Sequence, residues 1–172
     1  MTRTQRQIEE HRQGTACVEV RDRAGRPCAG ARVWAEQETH AFVLGCVVPD
    51  LEALPEPDQA RCRLRLAEVF NRLVPAGQPV EPGGLRYDVP EGARLGRVHR
   101  ELDRLSAGGL LLDVHVCGRS VNPGGLDDPG APRRAAELCT LCFAHPAVRG
   151  IYWDGLWDGE AGAAGGGLLR PD

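Results

Sequence analysis

The stretch ARLGRVHRELDRLSAGGLLLDVHV, residues 93–116, decides the fold. Its first part reads as a helix closed on the C-terminal side by Gly108 and Gly109, since glycine readily takes the left-handed conformation that ends helices. LLLDVHV then reads as a buried strand. Downstream, the loop CGRSVNPGGLDDPGAP leads into a second helix over residues 131–144, HPAVRG turns the chain, and GIYWDGLWD begins as a strand. Helix, strand, helix, strand is the alternation of a parallel α/β sheet.

Upstream, HAFVLGCVV is nearly continuous in apolar residues and predicts a strand buried on both faces. DQARCRLRLAEVFNRLV places Leu64, Ala67, Val69, Phe70 and Leu73 at roughly helical spacing, with Asp58 as the candidate N-cap. Residues 75–92 are rich in proline and glycine and predict a long connection without a regular element. Residues 3–13 are charged, the pattern of a short surface helix. Beyond them Ala16, Val18 and Val20 alternate with Cys17, Glu19 and Arg21, and ARVWAEQ alternates in the same way around Ala31, Val33 and Ala35. These alternations predict a small antiparallel β module over residues 1–39, ahead of an α/β unit over 40–172.

Composition narrows the function. The 172 residues suffice for one ordinary domain, and 42% hydrophobic with 26% charged residues is the balance of a globular protein. A formal charge of −3 gives no basic footprint for nucleic acid, and no apolar run is long enough for a membrane span. All 21 basic residues are arginine, so Schiff-base chemistry and a phosphate-loop lysine are excluded. The seven cysteines are scattered and odd in number and predict reduced, mostly buried thiols. Cys139 and Cys142 form a lone CxxC without the second pair a four-ligand zinc site needs, so neither metal nor cofactor is expected. Without an apolar leader in MTRTQRQIEEHRQG the chain as it stands reads as cytoplasmic, or as secreted if its N-terminus is incomplete. No fixed-period repeat occurs, and neither GxSxG, GxGxxG nor HExxH is present.

Five stretches carry a resemblance. IEEHRQGTACVEVRDRAGRPCAGARVWAEQETHAFVLGCVV, through Arg26, Pro27, Val33, Gln37, His40, Phe42 and Gly45, resembles the β-rich lead-in and first barrel strand of glycoside hydrolase family 10, the endo-β-1,4-xylanase family. RLAEVFNRLVP is similar to its first barrel helix, and ELDRLSAGGLLLDVHV, AELCTLCFAHPAVRGIYWDGLWDG and GGLLRPD resemble its seventh and eighth units. The resemblance implies a (β/α)₈ TIM barrel with its site at the C-terminal strand ends. Such barrels run to about 250 residues, whereas this chain offers three recognisable barrel-type strands, so an incomplete TIM-barrel-like unit is expected, its sheet edges covered by a protein partner or a second copy.

The resemblance also implies residue roles. Retaining glycosidases need one carboxyl as nucleophile and another as acid/base. The family's Asn-Glu acid/base segment is missing, and aligning its nucleophile motif on residues 112–118 puts Val116 where a glutamate should stand. The best remaining acid and base are Asp113 and His115, two positions apart and so on one face of a strand, both expected to be exposed and unpaired at a strand end. Glu101, Asp103, Asp127 and Asp128 read as solvated charges, and His40 and His145 as structural or capping groups.

Indole faces beside carboxylates suit sugars, which stack on the ring while their hydroxyls donate to the acids. Trp157, Asp158, Trp153 and His40 are therefore the candidate saccharide ligands. Trp153 stands one residue before the place of the family's subsite tryptophan, which is Asp154 here, and should point to the opposite face. The expected function is a catalytically inactive family-10-like protein that retains at most weak binding of a β-glycan or xylo-oligosaccharide, or serves an interaction or structural role. An incomplete active xylanase-type enzyme and a scaffold without a carbohydrate role are the alternatives.

Overall fold

The computed structural model describes residues 1–38, 40–48, 51–53, 55–76, 84–121 and 128–155. Helix α1 (Arg3–His11) opens the chain, held by a capping box in which the Thr2 side chain accepts from the Gln5 amide while the Gln5 side chain accepts from the Thr2 amide. Strand β1 (Val43–Val48) leads through a 3-10 turn (Leu51–Ala53) to α2 (Glu56–Val69) and β2 (Arg72–Pro75). Then follow β3 (Leu85–Asp88), α3 (Leu95–Ser106), β4 (Leu112–Cys117), α4 (Gly118–Val121), α5 (Ala131–Ala144) and β5 (Val148–Asp154).

All five strands are parallel and lie in the order β2-β1-β5-β4-β3, so the first and last strands are neighbours in the middle of the sheet. Each helix-linked step, β1 to β2, β3 to β4 and β4 to β5, moves one place in the same direction. Right-handed crossovers moving one way put every crossover helix on the same face. Packing agrees with this. Leu112, Val114 and Val116 of β4 form one apolar cluster with Val98 and Leu102 of α3 and with Leu138, Leu141 and Cys142 of α5. Cys46 and Val48 of β1 form a second with Cys62 and Leu66 of α2, and Trp153 of β5 touches both. The register Cys46–Trp153–Val116 sets these side chains on one face, so Gly45, Tyr152 and His115, in the next register row, share the other.

Several expectations change. Residues 15–21 and 31–37 form no strand; the N-terminal stretch holds a single antiparallel bridge, between Arg21 and Pro27, around the turn at Gly25. Among the described residues no strand pairs with this alternation; Trp34 is 87% exposed, and Val18 and Val33 are exposed too. Leu73 is in β2 and not in the preceding helix, and residues 75–92 contain β3. Both strands are four residues long and lie at the sheet edges, too short for periodicity to mark them. In α2 the buried stripe is Cys62 and Leu66, while Leu64 and Val69 face solvent. Asp58 lies inside the first turn next to Glu56, after Pro55 at the N-cap, and both acids favour that end through the helix dipole.

Arg12 fixes α1 to the sheet. Its guanidinium donates to the carbonyls of Phe143 (2.7 Å), His145 (3.0 Å) and Val148 (2.7 Å) and lies over the Phe42 and Phe143 rings. The first two carbonyls lie at the C-terminal end of α5, which its own helix leaves free, and the third belongs to the first residue of β5. All seven cysteines are free thiols; Cys46, Cys62 and Cys142 are buried, Cys117 and Cys139 partly so, and Cys17 and Cys28 are exposed.

Candidate functional site

On the sheet face opposite the helices, two polar groups sit one above the other. The lower is a buried ion pair. Asp113, 2% exposed, accepts from Arg149 Nε at 3.1 Å and Nη2 at 2.5 Å, a two-pronged contact between adjacent strands. Gly84 lies against it, since a Cβ there would come within 2.5 Å of an Asp113 oxygen.

The upper group occupies the C-terminal ends of β3, β4 and β5, where parallel sheets place their ligand sites. Asp88 and Asp154 end their strands, and the register Asp88–His115–Tyr152 brings His115 between them. His115 Nδ1 is 3.2 Å from each Asp154 carboxylate oxygen. An ionised carboxylate only accepts, so this nitrogen carries the ring proton. Arg86 Nη2 reaches Asp88 at 2.6 Å and Asp154 at 3.1 Å. The hydrogen bond from Arg86 holds the Asp88 carboxyl below its usual range, and Asp88 in return raises the Arg86 guanidinium.

The imidazole is immobilised by packing. His115 stacks on Tyr152 with centroids 5.1 Å apart and planes 14° from parallel. Tyr152 in turn fills the space left by Gly45 and Gly150: a Cβ on Gly45 would fall 2.3 Å from the tyrosine ring, and one on Gly150 3.3 Å from it. His115 Nε2 and the Tyr152 hydroxyl are both buried and have no hydrogen-bond partner among the described residues. Beside the cluster, Ser120 Oγ donates to the Val89 carbonyl (2.7 Å) and lies 3.2 Å from Cys117 Sγ.

Asp113 and His115 do share a face, as their spacing requires, but they are buried and partnered, not exposed and free. They belong to different groups, each bound to a residue of β5. Val116 lies in the core between sheet and helices, on the face opposite His115, so no side chain at that position would reach the strand-end cluster. Trp153 is likewise on the helix side, between the two apolar clusters. His40 lies 3.4 Å from Asn71 Nδ2, at an apolar groove of about 350 Å³ on that same side with Phe42, Cys139 and Phe143. Trp157, Asp158 and Asp127 lie outside the described residues.

His145 is the structural cap expected of it. It follows α5, its Nδ1 accepts from the Ala147 amide at 3.3 Å, and its Nε2 faces Asp103 at 3.3 Å. Asp103 is therefore no free surface charge: it also takes Arg3 at 2.7 Å and ties α1, α3 and α5 together. Asp128 is held by Arg134 and the Gly130 amide, and Glu101 by Arg104.

The residues that sequence reasoning missed as members of a site are Asp154, Arg149, Arg86 and Asp88. A signal for the last two existed: Arg and Asp two apart in LRYD must share a face if the segment is a strand. No protein-family model matches the chain, and no curated protein matches it.

Proposed function

We propose that the protein is a non-hydrolytic relative of family 10 glycoside hydrolases that binds a β-glycan or xylo-oligosaccharide at the C-terminal ends of its strands. The supporting topology is a sheet wound in one direction with its last strand beside its first, which suits the arc of an incomplete (β/α)₈ barrel. A doubly wound sheet would instead reverse direction at a switch point. The sequence support is the GRP lead-in and the HPAVRGIYWDGLWDG run.

The observation that carries the reading is the Arg86–Asp88–His115–Asp154 cluster. Its carboxylates and imidazole supply the acceptors and donors that sugar hydroxyls need, but one guanidinium already bridges both carboxylates. A general acid has to keep its proton near neutral pH, and Asp88 is shifted the opposite way. Binding groups are therefore present without a free acid and nucleophile pair among the described residues.

Titrating xylohexaose into the ¹⁵N-labelled chain tests this. Shifts centred on Asp88, His115 and Asp154 at millimolar ligand are expected, without release of reducing sugar. No shift at about 10 mM ligand, weaker than the affinity range of ordinary specific ligands, would remove the saccharide reading. Hydrolysis abolished by Asp88→Asn or Asp154→Asn would restore the active-enzyme alternative. The exposed Trp34, Val18 and Val33 favour a second reading, a scaffold that binds a protein through residues 14–38.

A further inference from the structure

The geometry points to a divalent-cation site at Asp88, His115 and Asp154, with Arg86 acting as a tethered competitor for the two carboxylates. One oxygen from each carboxylate and one His115 ring nitrogen lie within 4.8 Å of one another, close enough to bind one ion together. The three ligands come from three adjacent strand ends, so the sheet fixes their spacing. Preorganisation of this kind distinguishes a site from a chance cluster of surface acids.

The second observation is the histidine itself. His115 is 2% exposed and clamped by the Tyr152 stack, and Nδ1, aimed at the carboxylates, is its one ring nitrogen with a polar neighbour among the described residues. A metal at Nδ1 takes the lone pair that appears when the ring proton moves to Nε2, a tautomer exchange that needs no other reactant. The cluster sets two carboxylates against one guanidinium, an arrangement with acceptor oxygens to spare for a cation. Arg86 is 56% exposed at its side chain and can leave for solvent when an ion arrives. Two oxygens and one imidazole suit an ion between hard and borderline, Mn²⁺ or Zn²⁺. Three protein ligands leave coordination positions open for water or a hydroxylated ligand. The site stands on its own geometry and does not require the saccharide reading.

Mn²⁺ is the probe of choice, because the exposed thiols of Cys17 and Cys28 would capture Zn²⁺. Substoichiometric Mn²⁺ added to the full ¹⁵N-labelled chain should broaden the resonances of Asp88, His115 and Asp154 selectively. Asp154→Asn should weaken binding by at least about tenfold. Arg86→Gln should tighten it about two- to fivefold, the size expected for removing an exposed ion pair. Arg86→Gln also decides the matter should Asp154→Asn fail to give a dispersed spectrum. Broadening spread over exposed acids such as Glu52 and Glu56, or an affinity that Arg86→Gln leaves unchanged or lowers, overturns the site.

Discussion

Gly45→Ala tests the packing that holds the candidate site together. The new methyl group would stand 2.3 Å from Tyr152 Cδ1 and 2.6 Å from Cε1. Carbon atoms prefer a separation of about 3.5–4.0 Å, so the ring or the strand must move by more than about 1 Å. The ring cannot swing away freely, because His115 is stacked on its face with centroids 5.1 Å apart. The strand is no freer, since β1 is hydrogen-bonded to β2 on one side and β5 on the other. Overpacking a core costs about 1–3 kcal/mol, and with both relaxations blocked the upper end applies, about 3 kcal/mol. At about 2–4 °C per kcal/mol for a chain of this size, Tm should fall by about 6–12 °C. The assay is thermal and urea unfolding of four proteins: wild type, Gly45→Ala, Tyr152→Leu and the double variant. If the clash is the cause, Gly45→Ala costs much less once the ring is gone, a coupling of about 1 kcal/mol or more. A single variant within about 0.5 kcal/mol of wild type, or strictly additive effects, would refute the reasoning.

Three further outcomes follow from the other polar contacts. Arg149→Met leaves Asp113 buried without its partner and should cost about 3–5 kcal/mol by urea titration; a loss under 1 kcal/mol would mean that the pair does not hold β4 to β5. Arg12→Ala removes charged hydrogen bonds to three carbonyls and should cost about 2 kcal/mol or more, with amide exchange rising first in α1 and at the end of α5. Burial holds the His145 and His99 imidazoles below their ordinary range, so both are neutral in the fold, and their stabilisation is full above about pH 6.5 and lost as pH falls. For Asp103 burial acts upward, but hydrogen bonds from Arg3 and His145 outweigh it and keep the carboxyl below its normal value, so its contribution is lost only in a second, more acidic window. Tm should therefore drop between pH 7 and pH 5, and His145→Asn should flatten that slope; an unchanged slope would exclude His145 as its source.

The long elements were legible because pattern and burial agree in them. GRVHRELDRLS and residues 131–144 are helices, and LLLDVHV and GIYWD hold strands; Val98 and Leu102, Leu138 and Leu141, Leu112, Val114 and Val116, and Ile151 from these four segments meet in one core. Gly109 has the positive φ of 76° expected where the helix ends. Alternation along the strand turns Trp153 to the face opposite the place of the family's subsite tryptophan, and in the structure it lies on the helix side, away from His115. Pattern reading failed on β2 and β3, whose four residues each carry too little pattern to exceed their proline- and glycine-rich surroundings. It failed on residues 15–37 for the opposite reason: the alternation is clear, but among the described residues Val18, Val33 and Trp34 stay exposed. A strand pattern becomes a strand only when a partner takes up its hydrogen bonds and its apolar face.

The sequence by itself determined the class, a parallel α/β sheet, and the shared face of Asp113 and His115, because side-chain alternation along a strand is local geometry. Only the tertiary structure decided what those two residues are. The register of β3, β4 and β5 gives Asp113 to Arg149 and His115 to Asp154, and it sets Arg86 against both Asp88 and Asp154. Apart from Arg86 and Asp88, these partners are far apart in the chain, and which residue stands beside which depends on strand order and on the bulge between Leu112 and Asp113. No local pattern encodes a bulge position, and a slip of one residue would turn each of these side chains to the opposite face.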